Sequence, residues 1–329
     1  MRPNLARLPV VATLALLLLS CSASPDPSRG QARAIPSPRP STRPPTAGSE
    51  AAVGGSRPPA DGARTTRTPR PPRVRAASAI VIDLSDGSVL YQRRPDDPHP
   101  IASITKIMTA LLVLEHDPKL TGTVRVTRLA ARQDPTVIGL RRGERISVLD
   151  LMYGLLLWSG NDTAVALAQD VSGSIQGFLG LMNARARALG LRHTHFASPN
   201  GLTDAGYSTA RDVATLARVA LRNAVFAQLV GTTHHRIHGP RTQLHRLRNI
   251  NGLLERYPGA IGVKTGYTNA AGECVAGAAR RHGHAVLAVV LGEPVTPAWR
   301  RAYGDTTKLL DYGFATVSNP APQRSARGA

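Results

Sequence analysis

IASITKIMTALLVLE, residues 101 to 115, decides how the rest of the chain is read. Ile104, Ile107, Met108, Leu111, Leu112 and Leu114 leave almost no polar side, so the segment predicts a helix that begins at Ser103 and is buried on nearly every face. Such a helix is the centre of a domain. The cation inside it, Lys106, is conspicuous because the chain avoids lysine: of 41 basic residues, only Lys106, Lys119, Lys264 and Lys308 are lysines. Ser103 stands three residues upstream, and helix positions i and i+3 share a face at roughly 5–6 Å between Cβ atoms. An amine can lose its proton in a suitable site and act as a base, whereas a guanidinium stays protonated. The pair is a candidate nucleophile and base.

Working outward, AASAIVIDLSDGSVLYQRR (76 to 94) reads as two strands, Ala79 to Leu84 and Ser88 to Arg93, joined by a turn at Ser85, Asp86 and Gly87. From Leu120 to about Val230 the pattern is mostly helical. VLDLMYGLLLW (148 to 158) is apolar, DTAVALAQDV follows at once, and GFLGLMNARARALGL (177 to 191) has apolar residues at helical spacing. Loops rich in Gly, Asn and Pro lie between, such as FASPNGLTDAGYSTA (196 to 210). Strand patterns return near Ala260 to Gly266, Glu273 to Ala279 and Ala285 to Leu291, and Trp299 to Tyr312 reads as a closing helix. Strands at both ends of a helical middle imply one sheet whose halves are distant in sequence, with a helical lobe inserted.

The ends differ in composition. In MRPNLARLPVVATLALLLLSC, Arg2 and Arg7 precede an apolar run from about Val10 to Leu19, the order of an export signal. About ten apolar residues are too few for a spanning helix, which needs about 20. The run closes in LLSC, which resembles the lipobox at which bacteria cut before a cysteine and attach lipid, making Cys21 the first mature residue; cleavage near Ala23 without lipid is the alternative. Residues 22 to 76 are rich in Pro, Ser, Ala, Gly and Arg, with twelve prolines between Ser22 and Arg75, and read as a disordered, semi-extended tether. Residues 316 to 329 read as a disordered tail. The remaining body, 77 to 315, is one catalytic-sized domain without internal repeats.

The net charge of +20 is spread unevenly: the tether holds ten Arg against Asp26, Glu50 and Asp61, while the body from about 76 to 315 carries 27 basic and 18 acidic residues. Aromatics for base stacking are scarce and the signal exports the chain, which argues against nucleic acid. Anionic headgroups or wall polymers are the neighbours such a charge suits. Only Cys21 and Cys274 are present, so a disulfide framework is excluded. His193, His195, His234, His235, His238, His282 and His284 show no metal-ligand spacing and no acidic companions in sequence.

Two further strings accompany Ser103 and Lys106: SGN at Ser159 to Asn161 after an apolar helix, and KTG at Lys264 to Gly266 on an expected strand. A serine hydroxyl is a poor nucleophile until a base takes its proton. Moving a lysine from its ordinary pKa of about 10.4 to about 7 needs roughly 4–5 kcal/mol, which burial and a second cation such as Lys264 supply. The N–H of Ser103, at a helix start, is a donor suited to an oxyanion. Gly266 leaves its strand open to a substrate backbone.

The ordered strings resemble the penicillin-recognising serine enzymes, and most closely the D-alanyl-D-alanine carboxypeptidases of bacterial cell-wall metabolism. IASITKIMTA, GLLLWSGNDTAVALA, SPNGLTDAGYSTA, NINGLL and GVKTGYTNAAGECVAGAARR carry the resemblance over about residues 77 to 315. It implies an α/β (α+β) fold of the β-lactamase/transpeptidase type, with an antiparallel sheet flanked by helices and an inserted all-helical subdomain, and it implies no cofactor. By the same resemblance Tyr267 supplies a second oxyanion N–H, Ser159 relays a proton to the leaving amine, Asn161 anchors the substrate amide, and Lys264 and Thr265 bind the terminal carboxylate. The implied partners are a peptidoglycan stem peptide ending in D-Ala-D-Ala, β-lactam inhibitors and, through lipid on Cys21, a membrane surface; the implied location is the outer face of the cytoplasmic membrane or the wall. A β-lactamase on this scaffold needs a Glu between the second and third strings, but the acids between Ser159 and Leu254 are Asp162, Asp170, Asp204 and Asp212. A DD-endopeptidase and a catalytically silent wall-binding protein remain alternatives. Many relatives carry an extra C-terminal β-rich domain and amphipathic helix, for which the 63 residues after Gly266 leave little room, so the anchor is expected at the N-terminus.

Overall fold

Residues 69 to 319 are described by the structure, a computed structural model. The expected export signal with Cys21, most of the expected tether and the last ten residues lie outside them. The described part opens as an extended segment in which Val74 and Ala76 are already buried and the Arg75 N–H donates to Asp305. The folded body therefore starts slightly before the boundary that composition suggests, because one valine among arginines and prolines has no periodic pattern to announce it.

Strands β1 (Ser78–Asp83) and β2 (Val89–Arg93) form the expected hairpin, its turn held by the Asp83 and Asp86 carboxylates, each accepting a backbone N–H at 2.8 Å. A 3-10 turn (Ala102–Thr105) leads into α1 (Lys106–His116). The sequence expects a helix from Ser103; the tighter first turn opens at Ala102, whose φ of 47° lies outside the helical region. Next come β3 (Thr123–Arg125), β4 (Arg145–Ser147), α2 (Val148–Leu156), α3 (Asn161–Ser172), α4 (Ile175–Ala188), α5 (Ala210–Leu221) and α6 (Ala224–Gly231). Strands β5 (His234–Arg236) and β6 (Arg246–Arg248), then α7 (Leu253–Arg256), return the chain to the sheet. Side-chain caps from Ser147, Ser174, Thr209 and Asn223 start α2, α4, α5 and α6, each accepting an otherwise unpaired N–H. The β3–β4 pair interrupts the mostly helical stretch and the β5–β6 pair follows it; neither was read from sequence, since three-residue strands are too short to display alternation.

Strands β7 (Ala260–Thr268), β8 (Gly272–Arg281) and β9 (His284–Glu293) complete a five-stranded antiparallel sheet in the order β2-β1-β9-β8-β7. Pairing of Ser78 with Leu291 through Asp83 with Val286 joins the two ends of the body, as the strand distribution implies. Strands β1, β8 and β9 are nearly continuous apolar runs because both faces are covered. One face meets α5 and, at β7 and β8, the 3-10 turn before α1; the other meets α8 (Arg300–Ser318) through Leu309, Leu310 and Phe314. That helix outruns the expected Tyr312 end because Gly313 lies against Val81 and Val286 and Phe314 joins the same buried cluster, and so residues 316 to 318 are helix where the sequence suggests tail.

Helix α1 is buried from Lys106 to Leu114. Its large apolar side chains, at about 1.5–3 kcal/mol each, together stabilise by roughly ten kcal/mol or more. That burial lets the fold tolerate one dehydrated lysine, Lys106, at its centre.

Candidate active site

Ser103 lies in the 3-10 turn and is partly open to solvent, while Lys106 begins α1 and is fully buried. Lys106 Nζ stands 2.7 Å from Ser103 Oγ, in hydrogen-bond contact, and also reaches Asn161 Oδ1 and the Asn200 carbonyl, both at 2.8 Å. Burial holds the Lys106 amine well below its ordinary 10.5, and Lys264 pushes it further down, while Asp162 opposes them. The amine is thus a base aimed at a hydroxyl. No backbone partner takes the Ser103 N–H among the described residues.

Ser159 ends the loop after α2 with φ of 66°, a left-handed conformation that costs a non-glycine residue about 1–3 kcal/mol and concentrates at functional sites. Its hydroxyl has no hydrogen-bond partner among the described residues, so it is free to exchange a proton. Asn161 opens α3. Its Oδ1 faces Lys106, its Nδ2 donates to the Asp134 carbonyl at 2.9 Å, and its N–H donates to the Thr136 carbonyl at 2.7 Å. The residue read as an anchor for a substrate amide is therefore tied into the protein, with one N–H and one lone pair of its side chain left over.

KTG sits on β7, the edge of the sheet next to the Ser103 turn. Lys264 and Thr265 are buried, and Lys264 Nζ donates to the Thr265 carbonyl at 2.8 Å. Burial lowers the Lys264 amine to about 7. A Cβ on Gly266 would stand 2.8 Å from Ser103 N, 2.9 Å from Ile104 N and 3.0 Å from the Ile101 carbonyl. The missing side chain therefore lets β7 lie against the turn that carries Ser103. The Tyr267 side chain turns outward, its hydroxyl donating to Asn269 at 2.6 Å.

Several residues that hold the site escaped the sequence reading. Thr109 Oγ1 donates to the Pro199 carbonyl at 2.6 Å, one residue before the carbonyl that Lys106 holds, so α1 grips the loop after α4 by two consecutive carbonyls. Gly201 must be glycine: φ is +79°, and a Cβ would fall 1.9 Å from the Ala102 carbonyl. Asp162 accepts the N–H groups of Ile138, Gly139, Leu140 and Thr163 and thereby ties the loop before β4 to the start of α3. Burial pushes its carboxyl up and these four donors pull it part of the way back. SPNG was visible as a turn, yet nothing local shows which carbonyl points at a lysine.

The structure thus brings a serine hydroxyl, a fully buried amine in contact with it and a strand edge carrying a second buried amine to one turn. Comparison with known proteins agrees with that chemistry. Residues 65 to 295 match the family described as D-alanyl-D-alanine carboxypeptidase. A D-alanyl-D-alanine carboxypeptidase of Bacillus subtilis is 37% identical over 78% of this chain and 65% of its own length. One from Streptomyces sp. K15 is 36% identical over 74% of this chain and 89% of its own. The crystal structure of a D-alanyl-D-alanine carboxypeptidase from Mycobacterium tuberculosis superposes with a TM-score of 0.71 at 35% identity, covering 78% of this chain and 96% of that one.

Proposed function

The chain belongs to the D-alanyl-D-alanine carboxypeptidase family, and we propose that it removes the terminal D-alanine from peptidoglycan stem peptides through an acyl-enzyme on Ser103. The observation that carries this reading is the 2.7 Å contact between Ser103 Oγ and the fully buried Lys106 amine. Neutral Lys106 takes the hydroxyl proton as Oγ attacks the penultimate D-Ala carbonyl carbon. The oxyanion rests between the N–H groups of Ser103 and Tyr267. As the C–N bond breaks, the proton passes by way of Ser159 to the leaving amine and D-alanine departs. Water then adds to the ester, and the peptide leaves with a new carboxylate.

Lys264 and Thr265 bind the terminal carboxylate of the substrate, whose charge draws the Lys264 amine back to its protonated form. Asn161 has the spare side-chain N–H for the substrate amide while its oxygen steadies Lys106. A penicillin is attacked by the same route, and the absence of a Glu between Ser159 and Leu254 supports a slowly released adduct over β-lactamase turnover. The N-terminal run ending at Cys21 supports export and lipid attachment, with the catalytic body held off the membrane by the proline-rich tether.

Mass spectrometry of penicillin-treated protein tests the centre of the proposal. One adduct on Ser103 is expected, together with D-alanine release from a peptide ending in D-Ala-D-Ala, and both are lost in Ser103→Ala. Rapid penicillin turnover would favour a lactamase, and cleavage only of cross-linked peptides an endopeptidase. Lipid on Cys21 is tested by the mass of the mature N-terminal peptide.

A further inference from the structure

We propose that Asp150, His235 and His238 form a binding site for a divalent transition-metal ion of the zinc type, remote from Ser103. In the sequence these histidines have no acidic companion; folding supplies one, because Asp150 at the start of α2 lies beside the β5 hairpin 85 residues later. Asp150 Oδ1 is 2.8 Å from His235 Nε2 and 3.7 Å from His238 Nδ1, and the three ligand atoms all lie within 4.8 Å of one another. A point equidistant from three atoms so placed is no more than about 2.4 Å from each, against the roughly 2.0–2.2 Å of zinc bonds to nitrogen and carboxylate oxygen.

Two of the three ligands are already fixed. Asp150 is buried, and its N–H donates to Ser147 Oγ at 3.0 Å. The His235 ring stacks on Tyr153 with centroids 3.6 Å apart and planes 14° from parallel. Hydrogen bonding accounts for His235, and for the His238 backbone N–H on Asp150 Oδ2, but not for the His238 ring. That ring nitrogen stands too far from the carboxylate for a hydrogen bond and at the separation of two ligands on one tetrahedral ion. The His238 side chain is 72% exposed, so water has access to the fourth position. Two imidazoles with one carboxylate suit zinc over magnesium or calcium, which prefer all-oxygen shells. Six residues of α2 follow Asp150, roughly 9 Å of helix before the chain reaches the SGN loop, so the ion takes no part in acyl transfer. It clips the β5–β6 hairpin to α2.

The test uses the exported protein without any histidine tag, stripped with a chelator and titrated with Zn²⁺. The expected result is one bound equivalent, a saturable Tm rise of roughly a few degrees once Zn²⁺ exceeds Kd about a hundredfold, and the visible absorption of tetrahedral Co²⁺ when cobalt replaces zinc. Mg²⁺ should produce none of these. His238→Ala alters an exposed ring, so it should keep the metal-free Tm and the D-alanine release rate while binding Zn²⁺ at least about tenfold more weakly. Asp150→Asn should lose the cobalt spectrum. Unchanged Zn²⁺ affinity in His238→Ala, an equal response to Mg²⁺, or no Tm shift in the wild type would each overturn the site.

Discussion

Lys264→Met should make the protein more stable while destroying its activity. Burial holds the Lys264 amine at about 7 in place of 10.5. The difference of 3.5, at 1.36 kcal/mol per pH unit, is about 5 kcal/mol by which the folded state is destabilised when this amine is charged. Methionine has similar volume and needs no proton, but it loses the 2.8 Å bond to the Thr265 carbonyl, worth about 1 kcal/mol. The net gain is about 4 kcal/mol, or roughly 8–16 °C in Tm for a body of this size. The pH dependence is the sharper signature. Between 7 and 10.5 the unfolded chain keeps a proton that the folded one has released, so wild-type stability rises with pH across that window. The advantage of the variant is therefore complete below pH 7, shrinks as pH rises and vanishes near 10.5. Thermal and urea melts of both proteins at about pH 6, 8 and 10, with D-alanine release measured beside them, provide the check. A stability gap that is absent, or the same at every pH, would refute the account of a dehydrated lysine.

The same amines shape the rate. In the free enzyme kcat/KM should fall as pH rises through about 7, where Lys264 loses the charge that holds the substrate carboxylate, and should fall at low pH as Lys106 gains a proton; a flat profile would count against both roles. Gly201→Ala puts a Cβ 1.9 Å from the Ala102 carbonyl and should cost about 3 kcal/mol or more, whereas Gly143→Ala, with φ of +78° and open space, should cost about 1 kcal/mol. Equal melting temperatures for the two variants would show that the Gly201 contact is not tight. The Cys274 thiol is fully buried and pushed up to about 12, so disulfide reagents at about pH 8 should label it only after unfolding, with peptide mass spectra separating it from Cys21.

The hydrophobic pattern alone determined the types of most elements and their order. Periods of two and of 3.6 are written locally, and the run around Lys106 is so apolar that only a central helix accommodates it. The Ser103–Lys106 pair was legible for the same reason, because three residues of one turn place both groups on one side before any tertiary contact forms. What only tertiary structure decided lies at long separation: Asn161 and Asn200 meet Lys106 across 55 and 94 residues, and Gly266 presses on the turn of Ser103. The dehydration of Lys264 and the meeting of Asp150 with His235 belong to the same category. Such contacts are set by the summed packing of many side chains, and no spacing within a single segment encodes them.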